Sequence, residues 1–280
     1  MIDKIILIIK YIIVAFVQGV GEILPISSSG HMVIVQSILG LKTSDLTFEV
    51  FLHFASLIAI IIFFYKKLWL MIKSFVLYIF NKESRNDEIT KHNFMLCIYL
   101  VIATIPAGII GLLFEDLIGE HLSKMWIVGC FLLLTSAMLY LITKINRNRD
   151  IKEMNWFDAL VFGLFQCIGV LPGVSRSGSC IVGGSSRKIN QSDAAEFAFI
   201  MAIPIMLGSA VFKVGDIASA LENKDLIIPY IIAFVVTLVV TYVSLKVFLK
   251  FVRKQKLTTF SIYCLIIGLT SIILGVTIYK

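Results

Sequence analysis

Charge is scarce in this chain. Asp, Glu, Lys and Arg make up 15% of its 280 residues and hydrophobic residues 59%, whereas a soluble domain is about 45–50% apolar. So few charges cannot clothe a soluble domain of this length, and the surplus apolar side chains are expected to face lipid. Cysteine is sparse as well. Cys97, Cys130, Cys167, Cys180 and Cys264 are odd in number, lie in apolar segments and show no C-x-x-C spacing, which argues against a disulfide framework or a thiolate zinc site. The net charge of +7 does not call for nucleic acid, because membrane proteins gather Lys and Arg in their cytoplasmic loops.

What is present is a series of long apolar runs. Residues 94–114, 125–143, 227–249 and 258–279 are each long enough to cross a hydrocarbon core, which takes about 20 helical residues. The first run, Ile5 to Val17, has no small-residue cleavage site and continues into Gln18 and Glu22, so it is expected to be retained rather than removed as a secretory signal. Lys66, Lys67, Lys73, Lys82, Arg85 and Lys91 crowd one loop, and 144–155 and 250–256 hold four basic residues each. These three loops are expected to be cytoplasmic.

Two shorter arms, 4–20 and 156–171, each run into a cluster of Gly, Pro and Ser and then into a second short arm. Such segments predict re-entrant hairpins. The expected fold is an all-α polytopic membrane protein with six crossings, near 47–65, 94–114, 125–143, 193–212, 227–249 and 258–279, plus two hairpins, about 4–40 and 156–190. Both termini then lie outside. Leu68 to Phe80, with Trp69, Lys73 and Tyr78, reads as an interfacial helix.

The chain repeats itself. Gln18-Gly-Val-Gly-Glu22-Ile-Leu-Pro-Ile-Ser27-Ser28-Ser29-Gly30 parallels Gln166-Cys-Ile-Gly-Val-Leu-Pro-Gly-Val-Ser175-Arg176-Ser177-Gly178. Both copies place Leu-Pro before Ser-x-Ser-Gly, and Glu49 and Glu196 follow the final glycines by 19 and 18 residues (30 to 49, 178 to 196). A hairpin plus three crossings per copy makes the second enter from the opposite side. The whole chain is thus read as one membrane domain of two inverted repeats, 1–143 and 156–280, an arrangement that places a site where interrupted helices meet.

Proline breaks each helix and glycine lets the chain turn, which frees backbone N–H groups next to a helix N-terminus. Such a place suits an anion. Arg176 is the one strong positive charge in either cluster, and a guanidinium at membrane depth needs a partner for which phosphate is the natural choice. On the first loop Glu22, Ser27, Ser28, Ser29 and His31 bring an acid, hydroxyls and an imidazole within ten residues. A serine attacks phosphorus once a base takes its proton, and His31 is the expected base. Glu22, with Gln18 a helical turn earlier, is read either as a ligand for a divalent cation or as the group that orients His31. His53 is expected to be a hydrogen-bonded core group or to support the site from just behind it, and Glu49 and Glu196 to cap helices or clamp the loops.

These motifs resemble the undecaprenyl-diphosphate phosphatases associated with bacitracin resistance. Gln18-Gly-Val-Gly-Glu22 is similar to the family's (E/Q)xxxE motif, Leu24-Pro-Ile-Ser27-Ser28-Ser29-Gly30-His31 to its first signature and Pro172-Gly-Val-Ser175-Arg176-Ser177-Gly178 to its second. Phe48-Glu49-Val50 and Ala195-Glu196-Phe197 through Pro204 extend the likeness over the chain. The resemblance implies an enzyme of the bacterial plasma membrane that removes the terminal phosphate of undecaprenyl diphosphate for carrier recycling, with Mg²⁺ or Ca²⁺ and a site open to the outer face. It implies Ser28 as nucleophile, His31 as base or acid, and Arg176 on the phosphoryl oxygens. Ser27, Ser29, Ser175 and Ser177 would bind phosphate, and Glu22 with Gln18 would serve the metal. Gln18 stands where many members have glutamate, and Cys180 where many have threonine, a position whose contact Ser179 is expected to replace. A transporter or flippase of a phosphate-headed lipid fits the same repeats, and the lipid-facing surface is compatible with a homodimer.

Overall fold

The computed structural model describes residues 2–41, 46–220, 222, 224–253 and 256–278. Among these the chain is helical, and its only extended pairing is an isolated bridge between Arg149 and Ile189. The helices are α1 (Ile2–Gly21), α2 (Ser28–Leu39), α3 (Leu46–Phe80), α4 (Glu88–His121), α5 (Met125–Ile142), α6 (Trp156–Ile168), α7 (Arg176–Ser186), α8 (Gln191–Phe212), α9 (Val214–Ala220), α10 (Lys224–Val252) and α11 (Leu257–Thr277).

Seven of them, α1, α3, α4, α5, α8, α10 and α11, are long and apolar enough to cross a membrane. The protein is a multi-pass membrane protein, and its outer surface is accordingly apolar, with Phe80, Leu113, Phe212 and Ile273 all exposed. α1 packs on α2 and α6 on α7, two helix pairs over the segments where the hairpins are expected. The seventh membrane-length helix is α1, whose apolar window is 18 residues, whereas its counterpart α6 has only 13. The end of the last expected crossing, Tyr279, lies outside the described residues.

One element departs from expectation. Leu68–Phe80 is not a separate interfacial helix but the end of α3, which runs unbroken for 35 residues. At about 1.5 Å per residue it is roughly 52 Å long and overshoots a hydrocarbon core of about 30 Å. No proline or glycine interrupts 46–80, so nothing in the backbone stops the helix at the interface.

Helix contacts are made through small residues and interhelical hydrogen bonds, as expected where lipid removes the hydrophobic drive for association. α5 and α11 form the closest pair: a Cβ on Gly129 would stand 2.8 Å from the Gly268 carbonyl. Ser136 Oγ donates to the Ser261 carbonyl at 2.7 Å across that seam, and Thr237 of α10 donates to the Ala15 carbonyl of α1 at 3.1 Å. α1 lies on α10 and α6 lies on α4.

The ends of α6 and α7 remote from their turn carry a charge cluster. Asn155 caps α6 in a capping box with Asp158, and the fully buried Asp158 carboxylate binds Arg149 and Arg187, each at 2.7 Å. The hydrogen bond to Asp158 raises the pKa of Arg149. Lys67 of α3 meets Glu196 of α8 at 2.6 Å. Glu196 therefore ties two helices together rather than clamping a loop.

Candidate active site

Both hairpins end their first arm in the same way. A Cβ on Gly21 would lie 2.8 Å from Ser28 Cα, and one on Gly169 would lie 2.7 Å from Arg176 Cα. Each glycine thus lets the chain double back tightly onto the first residue of the second arm. Ser27 and Ser175 cap α2 and α7, accepting from Gly30 N–H at 3.2 Å and Gly178 N–H at 3.0 Å. Ser28 and Arg176 consequently occupy the same structural position, the first residue of a helix. The repeat places a hydroxyl in one copy and a guanidinium in the other.

The two loops touch. Ser27 Oγ also accepts from Gly173 N–H at 3.1 Å, and Ser177 Oγ donates to the Leu24 carbonyl at 3.3 Å. Gly173 adopts φ +101, and a Cβ there would meet the Val128 carbonyl at 2.5 Å, so only glycine fits. Thr135 of α5 holds the second loop from below, donating to the Gly173 carbonyl at 3.0 Å and accepting from Ser175 N–H at 3.1 Å. Ser27 itself sits at φ 70, an uncommon conformation for a residue with a side chain.

Between the loops lies a cavity of about 200 Å³ whose lining includes Glu22, Ser27, Ser28, Ser29, His53, Gln166, Ser175, Arg176 and Ser177. Glu22, only 5% exposed, is its hub. One carboxylate oxygen pairs with Arg176 Nη2. The other accepts from Gln18 Nε2 at 2.9 Å and Ser28 Oγ at 3.0 Å and lies 3.4 Å from His53 Nε2. Besides Glu22, the Arg176 guanidinium has only a 3.8 Å contact with Met206 Sδ among the described residues. Its remaining N–H groups, and the first-turn N–H groups of α2 and α7 that have no intrahelical acceptor, are available to an anion in the cavity.

Several expected site residues are thus brought together: Glu22, Ser27, Ser28, Ser29, Ser175, Arg176 and Ser177 line one space. His31 is not among them. Its Nδ1 faces the Ser27 carbonyl at 2.8 Å and its Nε2 faces the Tyr263 hydroxyl at 2.9 Å. The group beside Ser28 Oγ is Glu22, not His31, whose two ring nitrogens are occupied by the Ser27 carbonyl and the Tyr263 hydroxyl. His53, expected in the core or just behind the site, lines the cavity. Glu22 is engaged with His53 and Arg176 and does not orient His31.

The secondary residues divide. Cys180 is buried with its Sγ 4.0 Å from Gln166 Oε1, the far limit for a weak thiol bond. Ser179 does not replace it, since its hydroxyl is buried without a partner among the described residues. Glu49, half-buried one turn before His53, has no hydrogen bond or ion pair among the described residues. Two contributors carry no signal in the motifs: Tyr263 is separated from His31 by 232 positions, and Thr135 from Gly173 by 38.

A resident metal centre does not fit these residues. No group of three or more His, Cys, Asp and Glu side chains suited to a metal occurs among the described residues. Glu22 is the one carboxylate lining the cavity, and both its oxygens are engaged. Gln18 turns its nitrogen to Glu22 and leaves its oxygen buried without a partner. The amide cannot be flipped to cure this, since its oxygen would then oppose a carboxylate.

Fold and site together define a polytopic α-helical membrane protein with a polar cavity between two helix N-termini, lined by a guanidinium and by a serine held by a carboxylate. A family model described as bacitracin resistance protein BacA matches residues 11–270, and the chain belongs to that family. It is 39% identical over 266 residues to undecaprenyl-diphosphatase 3 of Bacillus anthracis, covering 95% of this chain and 97% of that protein. It is 37% identical over 269 residues to an undecaprenyl-diphosphatase of Halothermothrix orenii, covering 96% and 98%. It is 35% identical over 268 residues to one of Oceanobacillus iheyensis, covering 95% and 96%.

Proposed function

We propose that this protein is an undecaprenyl-diphosphatase that hydrolyses undecaprenyl diphosphate to undecaprenyl phosphate and inorganic phosphate, returning the lipid carrier to cell-wall synthesis. The observation that carries the reading is the meeting of Ser28, Glu22 and Arg176 across two loops that enclose one cavity. The names borne by the relatives agree with it.

The terminal phosphate enters between the N-termini of α2 and α7. Arg176 exchanges Glu22 for phosphoryl oxygens, while hydroxyls of Ser27, Ser29, Ser175 and Ser177 and the first-turn N–H groups donate to the rest. Positioning and charge stabilisation of this kind are most of what phosphoryl transfer needs. Ser28 Oγ attacks the terminal phosphorus as its proton passes to Glu22. The bond from phosphorus to the bridging oxygen breaks, and undecaprenyl phosphate leaves as its bridging oxygen takes the proton held by Glu22, relayed through the adjacent His53. Water then attacks the phosphoserine, losing a proton to Glu22, which returns it to the departing Ser28 Oγ, so that inorganic phosphate leaves and the hydroxyl and carboxylate are restored.

A divalent cation, Mg²⁺ or Ca²⁺, is proposed to accompany the diphosphate as its counter-ion rather than to reside in the protein, and no step is assigned to it. Magnesium is commonly held in this way, by substrate phosphates with few protein ligands. The setting is the bacterial plasma membrane, with the cavity reached from the outer face, a reading supported by the Lys- and Arg-rich segment 144–155 at the end of α6 remote from its turn. The packing of α1 on α10 and of α6 on α4 supports two inverted repeats, since an axis relating the halves would generate one contact from the other.

Phosphate release from undecaprenyl diphosphate by purified protein in detergent tests the reading. Release that is lost in Ser28→Ala and Arg176→Ala is expected. Head-group translocation that survives both substitutions, without phosphate release from the unaltered protein, would overturn it in favour of transport.

A further inference from the structure

A second cavity, of about 310 Å³, opens between α4 and α8. Its lining includes Val50 of α3, Gly108 and Gly111 of α4, and Ile205, Gly208 and Ser209 of α8, and it is predominantly apolar. Ile205 and Ser209 also line the polar cavity. The two spaces therefore share a wall, one suited to an anion and the other to a hydrocarbon.

The glycines are what keep the groove open. Gly108 and Gly111 are three positions apart and so share a face of α4, and a Cβ built on Gly108, Gly111 or Gly208 would meet nothing within 4 Å. They differ from Gly129, Gly163 and Gly275, where a Cβ would come within 2.5–2.7 Å of a neighbour, so close helix packing does not explain them. Glycine inside a helix weakens it. Here it is placed where any larger side chain would begin to fill a groove that adjoins the phosphate site. Thr104, on the same helix, spends its hydroxyl on the Leu100 carbonyl at 2.7 Å and so does not make the groove more polar.

We propose that this groove holds the isoprenoid chain of the substrate next to its head group, so that Gly108, Gly111 and Gly208 determine how the lipid tail leaves the site. The proposal rests on the diphosphatase reading and deepens it. A flexible chain with only carbon and hydrogen finds no polar partner to satisfy along the glycine faces, while its diphosphate lies across the shared wall against Arg176.

Two measurements test it. In the first, Gly108→Leu and Gly111→Leu are assayed with farnesyl diphosphate; KM should rise about tenfold with kcat within about twofold, the pattern of lost uniform binding. Inhibition by inorganic pyrophosphate, which has a head group and no tail, should be unchanged. An unaltered KM, or a parallel loss of pyrophosphate inhibition, would overturn the proposal. In the second, a farnesyl diphosphate analogue with benzophenone at its tail end is photolysed with the unaltered protein; label is expected in 104–112 and 204–213 and should be competed by farnesyl diphosphate. Label elsewhere, or label competed by phospholipid but not by farnesyl diphosphate, overturns it. Because labelling needs no turnover, groove labelling without phosphate release would sink the diphosphatase reading alone.

Discussion

The His31 imidazole and the Tyr263 ring stack at 5.5 Å between centroids with 10° between planes, and the Tyr263 hydroxyl lies 2.9 Å from His31 Nε2. With Nδ1–H donating to the Ser27 carbonyl at 2.8 Å, the ring is fixed in one tautomer and Tyr263 donates to it. His31 thereby braces Ser27 in its positive-φ conformation, and Ser27 leads directly into the nucleophile. Loss of one such hydrogen bond costs about 1 kcal/mol, so Tyr263→Phe is expected to lower kcat by roughly fivefold. His31→Ala should lower it much further. The two substitutions combined should cost no more than His31→Ala alone, which steady-state kinetics on the double variant would check.

Ser28→Ala and Glu22→Gln remove the attacking oxygen and its proton acceptor, which interact at 3.0 Å. Each should reduce kcat by at least about a hundredfold. Arg176→Lys should fall nearly as far as Arg176→Ala, because a point charge cannot replace a planar fork of donors. Full activity in Arg176→Lys would show that the fork is not used.

His53 is 3.4 Å from Glu22 and its side chain is 28% exposed to the cavity. His53→Ala is expected to slow turnover about tenfold to a hundredfold and to remove one limb of the pH–rate profile. A profile of unchanged shape would restrict His53 to packing.

Asp158 is buried between Arg149 and Arg187. Removing Arg149 leaves the buried carboxylate with Arg187 and the Asn155 N–H, so the cost is that of one charged hydrogen bond, about 1.5–3 kcal/mol. Arg149→Ala should therefore lower the thermal midpoint in detergent clearly, while the protein that remains folded keeps its kcat, since this cluster lies at the far ends of α6 and α7.

Because the cavity offers a single carboxylate that is already engaged, Mg²⁺ alone is expected to leave the thermal midpoint unchanged and to give no binding isotherm. The ion together with a diphosphate should stabilise the protein. Tight binding of Mg²⁺ without substrate would show a resident ion site.

Much of this was legible in the sequence because it depends on local rules. The apolar runs had to become helices, since backbone groups in lipid can be satisfied only internally. Leu-Pro followed by Ser-x-Ser-Gly had to break the helix and restart it with a serine cap, and that is how Ser27 and Ser175 behave. Doubling the motif pointed to a meeting of loops, and with it to Ser28, Glu22 and Arg176.

Tertiary structure alone decided which groups face one another. His31, three positions beyond Ser28 and so only about 60° round α2 from it, is held by the Ser27 carbonyl and the Tyr263 hydroxyl of α11, while His53 from α3 lines the cavity. Proximity in sequence pointed to His31, and packing puts His53 on the cavity. The distant partner Tyr263 and the groove between α4 and α8 are likewise products of how separate helices pack. The sequence by itself determined where the chain must cross lipid and where its helices must break; the packing of those pieces determined which carboxylate, imidazole and guanidinium share the cavity, because contacts between elements depend on rotation and offset that no local pattern encodes.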